Sequence, residues 1–282
     1  MKCPSDSEYG DSRSPPSTSA IQSVAMASPM AELAVEFRDV SFRHASAQKD
    51  PSQSESLIAG LSFSVYQGET LVLLGRSGSG KTTTLKLINC LLTASGGEIL
   101  VQGKRVADWD VIKLRRSIGY AIQEVGLFPH FTVERNITVV PHLEDWPKER
   151  IEPRLRELMH LVGLDEDLRK RYPRELSGGQ RQRVGVARAL AADPPTLLMD
   201  EPFGALDPIT RLELQREFLA LQKKLQKTVV FVTHDLREAL MLGSRIGLME
   251  AGKLVSISSV DKFKHSREPL VRQYFEAFEG TA

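Results

Sequence analysis

The chain has 282 residues, 41% of them hydrophobic, which is enough for one large α/β domain or one core carrying a subdomain but cramped for two full domains. Lys and Arg (37) balance Asp and Glu (36) to a net charge of +1, so no global field draws the protein to nucleic acid or acidic lipid, and no nucleic-acid partner is expected. Two cysteines offer no disulfide framework and suit a reducing compartment, and the absence of any run near ~18 apolar residues or of a secretory apolar segment predicts a cytosolic chain that does not cross a bilayer by itself.

Residues 1–30 are rich in Ser and Pro and poor in large apolar side chains, so a disordered tail is expected, with Cys3 inside it and Met26 and Met30 available as later translation starts. A strand is predicted over Leu33 to Phe42. The polar stretch Ala45 to Ser56 reads as a lengthened hairpin loop leading to Leu61–Tyr66. After the turn Gln67-Gly68-Glu69, Thr70 to Leu74 reads as a buried strand feeding Gly75-Arg76-Ser77-Gly78-Ser79-Gly80-Lys81-Thr82-Thr83. That run fits G-x-x-x-x-G-K-[ST], the phosphate-cradling pattern. Converging backbone N–H groups around a polyanion requires glycines wherever a Cβ would block the turn. Lys81 adds a point charge on the outer phosphates, Thr82 a hydroxyl for the accompanying Mg²⁺, and the helix start near Gly80 a positive end. The alternative is an ordinary Gly/Ser loop between a strand and a helix.

A helix is predicted from Lys81 to about Leu92, with Cys90 as core packing. Strands follow over Glu98–Val101, turned in by Gly96-Gly97, and over Ile118–Gln123. From Thr132 to about Leu190 the pattern is helical, with Arg150–Val162 amphipathic and a helix from Arg181 to Ala192 after a Gly-Gly turn. Strands return at Thr196–Met199 and Thr228–Val232, with a helix over Pro208–Gln226 between them. Buried strands alternating with helices argue for an α/β core with an inserted helical subdomain.

Leu197 to Met199 end in Asp200-Glu201. At the tip of a strand in a nucleotide site, Asp200 would hold Mg²⁺ through its water shell and Glu201 would orient and deprotonate the attacking water; a solvated acidic turn before Pro202 is the alternative. Leu176-Ser177-Gly178-Gly179-Gln180 precedes a helix, so Ser177 caps it and the turn offers a second anion-binding helix start. One γ-phosphate does not easily reach both starts within one subunit. A two-fold dimer, each Ser177 turn over the partner's phosphate loop, resolves this.

With these segments in place, the sequence resembles the ATPase subunits of ABC transporters. The phosphate loop, Gln123, Leu176 to Gln180, Leu197 to Glu201, Ala205-Leu206-Asp207 and Thr233-His234-Asp235 stand in that family's order, over Leu33 to about Gly252. The resemblance implies a P-loop NTPase fold with an N-terminal antiparallel β subdomain, ATP and Mg²⁺ as ligands, and a nucleotide sandwich. In it Lys81 and Thr82 hold phosphates and metal, Gln123 completes the metal shell and senses the transporter partner, and Glu201 is the base. His234 positions the attacking water on the γ-phosphate, Asp207 links the two sites, and Ser177 with Gly179 binds γ-phosphate in trans. As a lone histidine after a strand, His234 would otherwise be read as structural. The family's aromatic ring for adenine falls at His44 rather than Tyr. Base stacking is worth about 1–3 kcal/mol, and weaker ATP binding than with tyrosine is expected, an ordinary loop histidine being the alternative.

Gln123 to Phe131 place Leu127, Phe128 and Phe131 after Gly126, either as core packing or as a groove for a cytoplasmic helix of a membrane permease. Ile118 to Gln123, Gly126 to His130, Tyr172 to Leu176 and Phe203 to Thr210 look like the importers of glycine betaine, carnitine, choline and related quaternary amines. That kinship implies a homodimer at the cytoplasmic face of the inner membrane, permease subunits, and indirectly a substrate-binding protein outside. These residues touch no transported solute, so the solute is implied by kinship alone. Another ABC transporter ATPase, for amino acids, lipids or drugs, or a soluble ABC-type ATPase, is the competing reading. The expected division is 31–126 for the β subdomain and first core part, 127–189 for the helical subdomain and 190–250 for the second core part. Residues 251–282 are expected to be a short helical extension without a regulatory domain.

Overall fold

The computed structural model describes residues 32–43, 56–123, 126–204 and 206–279. Strand β1 (Leu33–Arg43) pairs antiparallel with β2 (Ser56–Tyr66) and with β4 (Gly96–Val101), and β4 pairs with the short β5 (Lys104–Arg105), giving a four-stranded antiparallel sheet. The second sheet holds six strands. In spatial order they are β10 (Lys253–Ser259), β9 (Arg245–Glu250), β3 (Thr70–Leu74), β8 (Thr228–Thr233), β7 (Thr196–Asp200) and β6 (Ile118–Ala121). All are parallel except the edge strand β10.

Both faces of this sheet are buried, as the unbroken apolar runs require. Side chains alternate between two cores along each strand. Val72 and Leu74 of β3, Val229 and Phe231 of β8, and Leu197 and Met199 of β7 face a core shared with the helices. Leu71 and Leu73, Val230 and Val232, and Leu198 face a second core roofed by Phe37, Phe63 and Val101 of the antiparallel sheet.

Helix α1 (Lys81–Ile88) follows the phosphate loop. It ends four residues before the predicted end because Asn89 leaves the helical region and Cys90 adopts φ +55°; the freed carbonyls of both accept from the Arg115 guanidinium. Cys90 is half-buried against the second core. Helix α2 (Val111–Ser117), absent from the sequence reading, is capped by Asp110, whose Oδ1 accepts from the amides of Ile112 (2.9 Å) and Lys113 (3.0 Å).

The helical block comprises α3 (Val133–Ile137), α4 (Val139–Leu143), α5 (Lys148–Leu161) and α6 (Gly178–Leu190). Ile151, Leu155, Leu158 and Met159 form the buried stripe of α5. The Gly-Gly pair does not precede α6 as a turn but forms its first helical residues, because Ser177 occupies the cap. Helix α7 (Pro208–Leu225) returns to the sheet, α8 (Leu236–Leu242) follows β8, and α9 (Val260–Lys264) and α10 (Pro269–Glu279) close the described chain, with Val271 and Phe263 fully buried. No helix among the described residues is long and apolar enough to cross a membrane.

Candidate nucleotide site

The register of the large sheet brings four loop starts to one edge. Leu74 pairs with Thr233, Val232 with Asp200, and Met199 with Ala121, so the chain leaves β3, β8, β7 and β6 side by side at their carboxyl ends. In open α/β sheets this is where ligands bind. The phosphate loop follows β3, His234 follows β8, Glu201 follows β7 and Gln123 lies just beyond β6. A cleft of about 630 Å³ opens there, lined by Arg76, Ser77, Gly78, Gly80, Lys81, Thr82 and Thr83 of the loop and by Gln123, Glu201 and His234.

The loop's glycines are present for steric reasons. Gly80 holds φ +100° as the N-cap of α1, and a Cβ on it would lie 2.6 Å from Cδ1 of Ile58. Gly78 holds φ +81°. Gly75 faces away from the cleft, against the Met249 carbonyl oxygen, which would sit 2.4 Å from a Cβ. Gly75 and the buried Ser79 therefore shape the loop from behind rather than line the cleft.

Lys81 is 4% exposed, and its ammonium donates to the carbonyls of Gly75 (2.8 Å) and Arg76 (2.9 Å). Burial pulls its pKa below the ordinary lysine range, while Glu201, Asp200 and Glu250 pull it back up. Thr82 donates its hydroxyl to Oδ1 of Asp200 at 2.8 Å, and Tyr120 donates to Oδ2 at 3.4 Å. Asp200 is buried at the strand end, and that burial raises its pKa against the Thr82 hydrogen bond. Glu201 stands in the left-handed region at φ +43°, its amide donating to the Val232 carbonyl (3.0 Å). A non-glycine residue held there marks a place where the surroundings overrule local preference. Oε2 of Glu201 meets Nε2 of Gln123 at 3.2 Å and Nδ1 of His234 at 3.1 Å, so two of the predicted residues converge on one oxygen of a third.

The structure places the remaining predicted residues elsewhere. Ser177, Gly178, Gly179, Gln180 and Asp207 do not line this cleft. Ser177 and Gln180 form a reciprocal capping box: the Ser177 hydroxyl accepts from the Gln180 amide (3.2 Å), and the Gln180 side chain accepts from the Ser177 amide (2.9 Å). Asp207 caps α7, accepting from the Thr210 amide at 3.1 Å, and hydrogen bonding from the Thr210 side chain, then from that amide, keeps its carboxyl below the usual range. His44 lies outside the described residues, as do Glu124, Val125 and Ala205. Leu57 and Tyr274 also line the cleft, and the sequence reading missed both. The spacing Val271, Tyr274, Phe275 on α10 marks a buried helical face, but only the fold shows that it reaches the phosphate loop.

The segment after β6 divides between its two readings. Leu127 packs against the helical core, whereas Phe128 is 40% exposed. The fully buried Asn136 staples this loop, accepting from the Phe128 amide (2.8 Å) and donating to the carbonyls of Phe128, Phe131 and Thr132 (3.1 Å each). Phe128 borders a groove of about 290 Å³ shared with Arg115, Tyr120, Ile122, Val140 and Ala189.

A glycine-rich loop between a buried parallel strand and a helix, beside an acidic strand tip and a capped second helix start, defines a P-loop ATPase cassette. The comparisons agree. The pattern of the ABC transporter family matches residues 58–204, and the chain belongs to that family. It is 50% identical over 220 residues to the glycine betaine/carnitine/choline transport ATP-binding protein OpuCA of Bacillus subtilis, covering 78% of this chain and 57% of that one. It is 49% identical over 223 residues to the glycine betaine uptake system ATP-binding protein YehX of Escherichia coli, covering 79% and 72%. The chain thus spans little more than half the length of the Bacillus relative. Among solved structures, the dimeric post-hydrolysis state of an ATP-binding cassette bound to ADP and Pi superposes with a TM-score of 0.72 at 30% identity, covering 80% of this chain and 98% of that one.

Proposed function

We propose that this chain is the ATP-hydrolysing subunit of an importer for a quaternary amine such as glycine betaine or choline, working as a homodimer beneath permease subunits on the cytoplasmic face of the inner membrane. The observation that supports it most is the convergence of Lys81, the Thr82–Asp200 pair and the Gln123–Glu201–His234 cluster on one cleft. The names of the relatives supply the solute class, and a substrate-binding protein outside the membrane would deliver that solute.

In this reading the loop amides and Lys81 bind the phosphates, and Glu201 accepts the proton of the attacking water while His234 holds the γ-phosphate side. Thr82, Asp200 and Gln123 present hydroxyl, carboxylate and amide oxygens, the hard donors Mg²⁺ prefers, and would hold it. The ion supplies charge neutralisation on the phosphate oxygens when bound. Gln123 donates its amide N–H to Glu201, which leaves its Oε1 for the metal and links the base to the loop before Phe128. The second copy contributes Ser177, Gly179 and Asp207, whose absence from the single-chain cleft is what a composite site requires. The groove beside Phe128 is the proposed seat of a permease helix, and the division at 31–126, 127–189 and 190–250 separates the parts that would move relative to each other.

Two measurements test this. Uptake of labelled glycine betaine should fall in cells lacking this chain and return when it is restored; unchanged uptake refutes the solute assignment. The Glu201→Gln protein should form ATP-dependent dimers in size-exclusion chromatography with its permease subunits supplied, and a strict monomer refutes the composite site.

A further inference from the structure

Among the buried polar side chains outside the cleft, two are hydrogen-bonded to each other between helices and have no part in this mechanism. Gln215 on α7 and Glu238 on α8 are 6% and 3% exposed. Nε2 of Gln215 donates to Oε1 of Glu238 at 2.9 Å, and the Thr233 hydroxyl donates to Oε2 at 2.5 Å. The same Thr233 oxygen accepts from the Asp235 amide at 3.0 Å. A chain of hydrogen bonds therefore runs from α7 to the residues on either side of His234.

We propose that Gln215 and Glu238 are positioning residues that lock the helix begun by Asp207 to the loop carrying His234, so that engagement of a second copy at Asp207 sets the placement of His234 in the cleft. This deepens, and rests on, the dimeric ATPase reading above.

Three observations carry it. First, the link is expensive where packing alone would serve. Burial pushes the Glu238 carboxyl upward against its two hydrogen bonds, and apolar side chains could pack α7 on α8 without that cost. Second, α7 holds both loops from one face. One turn before Gln215, Arg211 donates to the carbonyls of Gly204 (3.3 Å) and Leu206 (3.1 Å), in the segment leading to Asp207, and lies 3.9 Å from the Asp235 carboxylate. Residues four apart share a helix face. Third, the connection is short and stiff. Asp207 caps α7 itself, and Gln215 is the eighth residue of that helix, about 12 Å along continuous backbone hydrogen bonding. A displacement at the cap has no flexible segment in which to dissipate before it reaches Glu238.

The test is a role exchange. Gln215→Glu removes the amide donor and leaves two buried carboxyls either sharing a proton or repelling, so the link loses its fixed amide–carboxylate geometry. Adding Glu238→Gln to it rebuilds one donor and one acceptor between the helices with their roles reversed, and leaves an amide oxygen for the Thr233 hydroxyl. Steady-state ATP hydrolysis should show kcat reduced about tenfold or more in Gln215→Glu, with KM for ATP within about twofold, and the double variant should recover most of kcat. Gln215→Leu removes the donor at similar side-chain volume and, once its thermal unfolding shows a folded protein, should also lose kcat with KM retained. A folded Gln215→Leu protein with wild-type kcat, a double variant as impaired as Gln215→Glu, or a rise in KM matching the fall in kcat would each overturn the proposal. Failure of the Glu201→Gln protein to dimerise is a separate outcome that removes the underlying reading instead.

Discussion

Replacing Glu201 by Gln tests the chemistry at the point where the geometry is most specific. Both donors that reach this side chain, Nε2 of Gln123 and Nδ1 of His234, converge on Oε2, so an amide oxygen at that position keeps both contacts. What changes is the other oxygen, which becomes an NH2 group that donates and cannot take a proton. The cost should therefore be that of the base alone, about 10²–10⁴ in rate, or roughly 3–5 kcal/mol of barrier. Binding should not suffer. Burial lowers the Lys81 pKa and Glu201 is the leading charge that opposes that shift, but a bound triphosphate supplies that charge in its place, and one negative group beside the phosphates is removed. The assay is phosphate release under single-turnover and steady-state conditions, paired with nucleotide titration. Hydrolysis at the wild-type rate would refute the assignment of the base, and a parallel loss of ATP affinity would show that Glu201 shapes the cleft rather than reacting in it.

Three further outcomes are expected. Asp200 is held with a raised pKa mainly by burial, so its contribution to folding is full below the unfolded-chain value near the ordinary aspartate range and is lost as pH rises through the folded one. Asp200→Asn should consequently raise the melting temperature of the nucleotide-free protein at neutral pH while abolishing Mg²⁺-dependent hydrolysis, and a lower melting temperature would contradict this. Gly80→Ala forces a Cβ into φ +100° and to 2.6 Å from Ile58, which should cost about 1–3 kcal/mol in thermal unfolding and weaken ATP binding; unchanged values would show that the loop relaxes freely. His44→Tyr should tighten nucleotide binding by a fraction of the about 1–3 kcal/mol of an aromatic stack, and unchanged or weaker binding in titration would remove His44 from the base-binding role.

Which features the sequence revealed follows from how many residue types each position tolerates. Cradling phosphates admits almost nothing but Gly, Lys and Thr at fixed spacing, so Gly75 to Thr83 announced the cleft, and Asp200-Glu201 announced its acidic side once a strand led into them. Gln123 and His234 became legible only through family order, because nothing local distinguishes a polar residue after one strand from any other loop residue. The Gln215–Glu238 pair was invisible for a related reason. A Gln in the middle of a charged helix reads as a solvent face, and its partner lies 23 residues on, beyond any helical or strand period. Strand β9 was missed although it neighbours the phosphate-loop strand and is bracketed by Gly243-Ser244 and Ala251-Gly252, since Ile246 to Met249 is too short a run for periodicity to separate a strand from a helix fragment. The end of α1 was misplaced because the apolar spacing continues through Leu91, while the left-handed backbone at Cys90, whose carbonyl accepts from the Arg115 guanidinium of α2, leaves no mark in that spacing.

The Asn136 staple gives the segment beside the groove a mechanical character. Four main-chain contacts depend on one carboxamide with no solvent access, so the protruding phenyl ring behaves as a tooth cut into the helical block rather than as a hinge set upon it. A force on that ring would reach the helical block through Asn136 and the main chain it holds, with no loose segment between them to absorb it.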